Sequence, residues 1–543
     1  MTNNEKTAPR SLRTPVATPL GNRYAAAIGL GLLAVTLGAC GGGGGGTAGD
    51  GSGGGGPLGP SSAYAAKCAP DNTLARDGSG NLFSRYVSGT LDDEKSWVRN
   101  YMDEAYLWYK EVPAVDTTLA AFSVSPAQDA LKAWFDALKT PALTAAGARK
   151  DEFSFTMPTA QWNALAQTGV VGGYGIEWIV VSPTPPRNVR VAYVEDQSQA
   201  GVAGVARGDA VLSVVIDGAT IDFVNTTSPA EIEKLNEALF SPPAGRRVTF
   251  RLLSNNNVER VADLTASQLT TTPVKQSRVL DVGGAKVGYL LFNDFILPGE
   301  NQLKAAIQNF QAAAVSDLVL DLRYNGGGYL YMASQLAYMI APLAKTAGKT
   351  FERSMYSDKR AAATASPSSS MQFMNVSSGI SGSNTVAGSP LPNLALNRVY
   401  VLTTPGTCSA SESVINGLRG VDVEVIVLGA NTCGKPYGFT ARDNCGLSYF
   451  PVEFQGVNEK GFGDFPDGFA PTCAVADDLS RPLGDESEGL LAAALAYRVG
   501  GSCAAVAAGK PVLKADGAAG AAAALGPGTI VRPASRSNKF LAP

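Results

Sequence analysis

The stretch RVYVLTTPGTCSASESVINGLRGVDVEVIVLG, residues 398–429, places a helical pattern between two apolar strand patterns. Its predicted strands are residues 398–405 and 423–429, and the helix between them is residues 409–420. The same order occurs earlier in the chain, as strand 287–296, helix 299–314, strand 317–323 and helix 329–341. Such alternation is typical of an α/β fold with largely parallel strands. We therefore predict an α/β core over residues 270–504.

A serine opens the predicted helix, in SASE at 409–412, and GK at 434–435 follows the next strand. The chain contains no histidine, so a serine nucleophile needs another base. Lysine is the common substitute, because its neutral form accepts a proton. The carboxyl ends of parallel strands meet at one edge of a sheet, which would bring Ser409 and Lys435 together.

A lysine base near neutral pH requires a low pKa. The ordinary value near 10.4 must fall by roughly 2.5 to 3, about 3.5–4 kcal/mol, and burial among apolar groups can supply this. Val401, Leu402 and the strand at 423–428 are the apolar sequence available near Lys435. We therefore expect Lys435 to be buried against these strands.

The serine also has a purely structural interpretation. Ser-x-x-Glu before an apolar helix is a capping box, in which Ser409 and Glu412 satisfy backbone donors of the first turn. The glycine run upstream, the lysine downstream and the absence of histidine favour the nucleophile, and Glu412 can still cap. A cysteine nucleophile at Cys408 is a weaker alternative, because no histidine is present to activate it.

Three motifs in order resemble the carboxyl-terminal processing family of serine peptidases: DLRYNGGG at 321–328, SASE at 409–412 and GK at 434–435. The resemblance implies a crotonase/ClpP-like α/β peptidase core with an inserted or preceding PDZ-like β-rich domain and an N-terminal helical module. It implies Ser409 as the nucleophile and Lys435 as the general base. It also implies a serine endopeptidase that cleaves proteins near or from their C-terminus, with no metal and no organic cofactor.

Such an enzyme needs two hydrogen-bond donors for the oxyanion. The backbone N–H of Ala410 directly follows the nucleophile. Gly327 is the second candidate, because relatives often have proline, which lacks an N–H, at the position of Gly326. A tight glycine turn that ends the strand is the structural alternative. We expect Asp321 and Arg323 to brace this loop as an ion pair.

One position departs from the family pattern. Many relatives carry glutamine four residues after the lysine, where it is thought to orient the amine, and this chain has Phe439 there. Either another group holds Lys435 or the activity is weaker than in those relatives.

Two cysteines flank the proposed dyad. A disulfide between Cys408 and Cys433 would hold the base beside the nucleophile, and Cys433–Cys445 is the alternative pairing. Without Cys40, six cysteines remain, which in an exported chain allows three disulfides and 15 connectivities. With no CxxC pair and no histidine, they do not predict a zinc site. The other three are Cys68, Cys473 and Cys503.

Residues 166–262 consist of short alternating strand patterns that predict a β-rich domain. Within them, SQAGVAGVARGD at 198–209 resembles the helix and turn of PDZ domains. Gly173, Tyr174, Gly175 and Ile176 would then form the loop whose backbone N–H groups bind a C-terminal carboxylate, while a strand edge pairs with the peptide. The glycines fit a tight turn without a ligand equally well.

The N-terminus has the pattern of an export signal. Arginines precede an apolar run at 24–36 that is too short to span a bilayer, and LGAC at 37–40 follows. This resembles a bacterial lipoprotein signal peptide, residues 1–40, cleaved before a lipidated Cys40. An ordinary secretory signal is the alternative. Gly41 after the cysteine would point to the outer membrane of a Gram-negative envelope, facing the periplasm or the cell surface.

The remaining segments complete the predicted organisation. Residues 41–66 are mostly Gly, Ser and Pro and predict a flexible tether. Residues 67–165 predict a helical module with a core of aromatic residues and a second helix over 125–138. Residues 358–396 predict a polar, mobile insertion, and residues 505–543 predict a low-complexity tail.

These features define the expected partners. A net charge of −3 without a long Lys/Arg run argues against nucleic acid. We expect protein or peptide substrates with free C-termini, and membrane contact only through the lipid anchor. One alternative is a catalytically weak or inactive peptide-binding protein on the same scaffold. Another is a crotonase-type acyl-transfer enzyme, for which the sequence lacks a basic cluster to bind coenzyme A.

Overall fold

The computed structural model describes residues 58–240 and 242–503 and the backbone of residues 539–541. The predicted signal peptide with Cys40 and most of the tether and tail lie outside the described residues. Within the described part of the chain, no helix combines the length and apolarity needed to cross a membrane.

The N-terminal module carries three α-helices and three short strands. Aromatic residues of its first helix form a core: Trp97 stacks on Tyr101 and also contacts Tyr449, whose ring belongs to a later strand. The predicted helical module therefore has the expected aromatic core, which it shares with the rest of the chain. The elements are β1 (Lys67–Cys68), β2 (Val87–Ser88), α1 (Leu91–Ala105), α2 (Ala127–Ala137), β3 (Phe155–Pro158) and α3 (Thr159–Asn163).

The PDZ-like domain is a six-stranded antiparallel sheet in the order β10-β9-β7-β6-β5, with β8 paired to β7. Helix α5 packs on it through Leu235, Ala238 and Leu239. The domain continues past the predicted limit of 262, because β10 ends at Thr265 and β11 pairs with β4. Its elements are β4 (Val170–Gly173), β5 (Ile176–Ser182), β6 (Asn188–Val194), α4 (Gln199–Val202), β7 (Ala210–Ile216), β8 (Ala219–Asp222), α5 (Pro229–Phe240), β9 (Arg247–Leu253), β10 (Glu259–Thr265) and β11 (Ser267–Thr270).

The core is built on a six-stranded sheet in the order β12-β13-β14-β18-β19-β24. All neighbouring pairs from β13 onward are parallel, and β12 joins β13 antiparallel, so the predicted α/β class is confirmed. The first half comprises β12 (Val274–Val282), β13 (Ala285–Phe292), α6 (Leu297–Ala312), β14 (Asp317–Asp321), β15 (Gly327–Tyr329), α7 (Leu330–Ile340), α8 (Leu343–Thr346), β16 (Thr350–Tyr356), α9 (Ala361–Ala365) and β17 (Ser370–Gln372). The second half comprises β18 (Arg398–Thr403), α10 (Ala410–Gly420), β19 (Glu424–Gly429), β20 (Tyr437–Gly438), β21 (Arg442–Asn444), β22 (Leu447–Phe450), β23 (Phe454–Val457), β24 (Cys473–Ala474), α11 (Gly489–Gly500) and β25 (Lys539–Leu541).

Helices cover both faces of this sheet. Alternate residues of β18 point to opposite sides, so that Val401 packs with α6, α7 and α10 while Leu402 packs with α11. A strand that is buried on both faces has apolar residues at consecutive positions. This continuous apolar pattern is why these strands could be predicted from the sequence. The carboxyl ends of β14, β18 and β19 meet at one edge, where the glycine run and the serine follow.

The N-terminal module is tied to the core by main-chain pairing. Strand β3 pairs with β22, and a disulfide joins Cys68 to Cys445. The other disulfides are Cys408–Cys433 and Cys473–Cys503, so the first of the two predicted pairings of Cys433 is confirmed.

Two predicted segments are more structured than expected. The tether was predicted to reach residue 66, but Ser61–Ala63 is a 3₁₀ helix, and Ser61 is anchored by two hydrogen bonds of 2.6 Å to the Glu104 carboxylate. The insertion at 358–396 contains α9 and β17, and Ser378 donates to the buried Glu300 carboxylate. In both cases a polar stretch is held in a defined conformation by contacts with side chains that are distant in the sequence.

Candidate active site

Ser409 lies at the turn between β18 and α10. It is fully buried, with φ +61° and ψ −118°, a backbone conformation that non-glycine residues rarely adopt. On either side of it, the Cys408 N–H and the Ser411 hydroxyl donate to the carbonyl of Asn325, at 3.0 and 3.1 Å. The Oγ of Ser409 has no hydrogen-bond partner among the described residues. The turn is therefore held against the glycine run while its hydroxyl stays unpaired.

The buried Glu412 carboxylate joins the segments of nucleophile and base. It accepts the backbone N–H groups of Ser409 at 3.0 Å, Gly434 at 2.9 Å and Lys435 at 2.8 Å, and the Thr432 hydroxyl at 2.5 Å. Burial raises the pKa of Glu412, and these hydrogen bonds act against that rise. The predicted capping bond to Ser409 is confirmed, but the sequence did not show that the same carboxylate also fixes the main chain of the lysine.

Lys435 is fully buried, which confirms the predicted burial. Its Nζ has no hydrogen-bond partner in the described part of the chain. Burial lowers the pKa of the amine well below its ordinary value, and the charges of Asp151 and Glu412 only partly oppose this. Burial thus shifts the amine toward its neutral form, the form that accepts a proton.

Aromatic rings surround the amine. Nζ lies 4.2 Å from the ring centroid of Phe439 and 5.6 Å from that of Phe153. Phe439 is itself fixed by contacts with Phe155 and Phe450. The sequence predicts apolar surroundings from β18 and β19 and does not predict these two rings. Phe153 is distant in sequence, and Phe439 is recognised there only as the residue that replaces a glutamine.

The two side chains of the proposed dyad do not hydrogen-bond to each other in this structure. Their main-chain segments are nevertheless joined three times: by Glu412, by the Cys408–Cys433 disulfide, and by the hydrogen bond of 3.0 Å from the Cys433 N–H to the Thr407 carbonyl. Catalytic hydrogen bonds often form only once substrate is bound. Cys408, Glu412 and Cys433 also cluster closely enough for a metal, but both sulfurs are used in the disulfide, so the group does not suit one.

The glycine run contacts Phe295, which lies in the segment between β13 and α6. The Phe295 N–H donates to the Gly327 carbonyl at 3.0 Å, and its carbonyl accepts the Tyr329 N–H at 2.7 Å. Gly328, at φ +140°, approaches so closely that a Cβ would lie 2.2 Å from the Phe295 oxygen. Only glycine fits at this position, which explains that part of the motif. On its other edge, β15 pairs in parallel with the backbone of β25.

The two predicted oxyanion donors differ in their surroundings. The Gly327 N–H donates to Asn325 Oδ1 at 2.9 Å, so it is engaged in this structure. Ala410 is the first residue of α10, where backbone N–H groups lack an intrahelical acceptor. Both assignments stay predictions. The Gly327 N–H would have to release Asn325 Oδ1 before it could donate to the oxyanion of the substrate.

Arg323 confirms the expected brace. Its fully buried guanidinium donates to the carboxylates of Asp321, Asp477 and Glu488 at 2.7–2.8 Å. Burial alone would lower the pKa of Arg323, but these carboxylates raise it well above its usual range. The sequence predicted the bond to Asp321, whereas the other two carboxylates come from a distant segment.

The predicted carboxylate-binding loop, Gly173, Tyr174, Gly175 and Ile176, connects β4 to β5. β5 is an edge strand of its sheet among the described residues, as strand addition requires. Gly175 has φ +83°, and a Cβ there would lie 2.1 Å from the Cβ of Ser198. The positive φ and the close approach of Ser198 therefore explain why residue 175 is glycine, and carboxylate binding by this loop stays a prediction.

Two family models match separate parts of the chain. Residues 286–443 match peptidase family S41, and residues 93–155 match the peptidase S41 N-terminal domain. An S41 protease structure from Bacteroides fragilis NCTC 9343 is 25% identical, with 75% of this chain and 97% of that chain covered and a TM-score of 0.54.

Two further solved structures are less similar. The photosystem II D1 C-terminal processing protease is 18% identical, with 72% of this chain and 93% of that chain covered and a TM-score of 0.41. The PDZ domain of a carboxy-terminal protease from Vibrio cholerae, solved with a peptide, is 12% identical, with 19% and 99% covered and a TM-score of 0.16. No curated protein matches the chain significantly.

Proposed function

We propose that this chain, a member of peptidase family S41, is a serine endopeptidase of the cell envelope that acts through Ser409 and Lys435. One observation carries the proposal: a fully buried, unpaired lysine amine whose main chain is fixed, through the Glu412 carboxylate, to that of a strained serine. A structural lysine would be paired or solvated, because an unpaired buried charge is costly. A neutral lysine amine can instead accept the proton of a serine hydroxyl.

The reaction follows from these groups. The neutral Nζ of Lys435 takes the proton of Ser409 as Oγ attacks the carbonyl carbon of the scissile bond. The Ala410 N–H, with Gly327, stabilises the oxyanion. When the C–N bond breaks, the protonated lysine gives its proton to the leaving amine and an acyl ester remains on Ser409. Water, deprotonated by Lys435, then hydrolyses the ester and regenerates the serine.

The PDZ-like domain would select substrates by their free C-termini. Support comes from the open edge of β5 and from the glycine loop that precedes it. The envelope location rests on the export signal and on three disulfides, which are typical of oxidising compartments. We propose that Cys40 carries the lipid anchor, so that substrates are envelope proteins or their fragments.

The second candidate is a peptide-binding protein without activity. It is favoured by the absence of a hydrogen bond between Ser409 and Lys435 and by Phe439 in place of glutamine.

Labelling with a fluorophosphonate probe, read by intact mass, separates the two candidates. We expect a single adduct on the wild type, none on Ser409→Ala, and strongly slowed labelling of Lys435→Ala. Ser480→Ala, which removes an exposed hydroxyl, should label normally. Cleavage of a peptide with a free apolar C-terminus should follow the same order, and amidation of that C-terminus should slow it. A wild type that is neither labelled nor active would establish the binding protein.

A further inference from the structure

A cleft lies between the PDZ-like domain and the core, beside the glycine run. Residues of β5 and β6, including Glu177, line one side, and the segment before β12 lines the other. Asn293, which directly follows β13, and Gly326 of the glycine run also line it. An ion pair between Lys275 of the core and Glu195 of the PDZ-like domain joins the two walls. The cleft is therefore a defined space at the junction of the two domains.

Asn293 is the unusual residue of this cleft. The residue is only 7% exposed, yet neither Oδ1 nor Nδ2 of its side chain has a hydrogen-bond partner among the described residues. Its backbone N–H donates to the Pro273 carbonyl at 2.8 Å, so the main chain is fixed. A buried amide without hydrogen bonds costs about 1–3 kcal/mol. Packing alone would favour a leucine here, so the amide needs another explanation.

The cleft connects to the proposed catalytic centre through the glycine run. Phe295, two residues after Asn293, pairs with Gly327 and Tyr329. The carbonyl of Asn325, next to Gly326, accepts the N–H of the residue before Ser409. A polypeptide that leaves the serine along the glycine run toward the PDZ-like domain would therefore pass Asn293.

We propose that Asn293 is a substrate-binding residue that hydrogen-bonds the main chain of the peptide between the scissile bond and the PDZ-like domain. A side-chain amide matches a peptide unit, because Nδ2 donates to its carbonyl while Oδ1 accepts its N–H. The recognised ligand is thus an extended polypeptide of any side-chain sequence. This inference rests on the proposed function, since it identifies where the substrate of that site runs.

Two variants test the role. Asn293→Leu keeps the approximate shape and removes both hydrogen bonds, whereas Asn293→Asp keeps the acceptor and loses the donor. For a peptide substrate we expect KM to rise about tenfold or more in both variants, with kcat within about threefold, because each lost hydrogen bond to a ligand is worth about tenfold in affinity. The rate of fluorophosphonate labelling should not change, because the small probe does not extend into the cleft.

The unfolding temperature distinguishes substrate binding from a purely structural role, because the two roles predict opposite changes in Asn293→Leu. Asn293→Leu should unfold at the same or a higher temperature than the wild type, because it removes an unpaired buried amide. A marked loss of stability in both variants would show that the amide serves the fold, and an unchanged KM in both would show that it does not bind substrate. Either result overturns the proposal.

Affinity measured in the Ser409→Ala background separates this inference from the proposed function. There the same peptide should bind about tenfold or more weakly once Asn293 is replaced, whether or not the wild type is an active peptidase. Equal affinity with and without the Asn293 replacement overturns the inference and leaves the proposed function standing.

Discussion

Arg323 and Lys435 are both fully buried basic side chains, and their surroundings have opposite effects on their charge. The Arg323 guanidinium donates to three carboxylates, which raise its pKa well above the usual range. The Lys435 amine donates to none in the described part of the chain, and burial lowers its pKa. The same fold therefore stabilises the charge of one cation and disfavours that of the other.

The difference has a local cause. The nearby Glu412 carboxylate is already occupied by the main-chain N–H groups of Ser409, Gly434 and Lys435 and by the Thr432 hydroxyl. It fixes the position of the lysine through its backbone and leaves the amine unpaired. Arg323 holds a loop in place and needs its charge, whereas Lys435 is useful as a base only without one.

The largest expected effect is the loss of activity when the unpaired amine is removed. Lys435→Met keeps the buried volume but offers no base, and kcat/KM for peptide cleavage should fall by about 10⁴ or more. Lys435→Arg should be equally inactive, because a guanidinium stays protonated. Arg251→Met, at an exposed ion pair with Glu259, is the matched control and should cleave normally. Retention of substantial activity in Lys435→Arg would exclude the amine as base.

The paired cation should instead matter for stability. Arg323→Met leaves Asp321 and Glu488 buried without their partner, and the free energy of unfolding should fall by about 3–5 kcal/mol. Arg251→Met should cost less than about 1 kcal/mol, because its pair with Glu259 is about half exposed. Urea denaturation measures both. Similar losses in the two variants would mean that the buried network is no stronger than a surface pair.

Stability as a function of pH sharpens the contrast further. Because the folded-state pKa of Lys435 lies below 10.5, the unfolded chain binds a proton that the folded chain lacks between those two values. Wild-type stability should therefore gain from Lys435 as pH rises through that window. Lys435→Met should be the more stable protein at low pH, by a margin that shrinks toward pH 10.5. A margin independent of pH would show that the amine is not depressed.

The sequence predicted much of this arrangement, for identifiable reasons. The core strands are buried on both faces, so their continuous apolar segments could be recognised in the sequence. The proximity of Ser409, Lys435 and Arg323 followed from the fact that the ends of their strands share one edge of the sheet. The rings around the amine, the four bonds of Glu412 and the carboxylates of Asp477 and Glu488 depend on contacts between distant segments. The pairing of β3 with β22 was missed for the same reason. Helix α5 was missed although its apolar residues recur at helical spacing, so its local pattern was sufficient to predict it.

The smallest effect concerns the ring that lies over the amine. In Phe439→Gln an amide oxygen can accept from the protonated amine, and a hydrogen bond to a charged group is stronger than the contact with an aromatic ring. The pKa of Lys435 should therefore rise, and the acid limb of the pH dependence of kcat/KM should move to higher pH. The maximal rate should change by less than about tenfold, which corresponds to 1.4 kcal/mol.

Phe439→Leu is the matched control, because it keeps the site apolar and removes only the ring. It should lower the rate by a similar factor without moving the acid limb upward, since it offers no acceptor. If both variants lose activity equally and neither moves the limb, then Phe439 serves only to pack against Phe155 and Phe450. A shift confined to the glutamine variant would show that an apolar side chain at this position keeps the pKa of Lys435 low, so that the low pKa is a property of the surroundings and not of lysine itself.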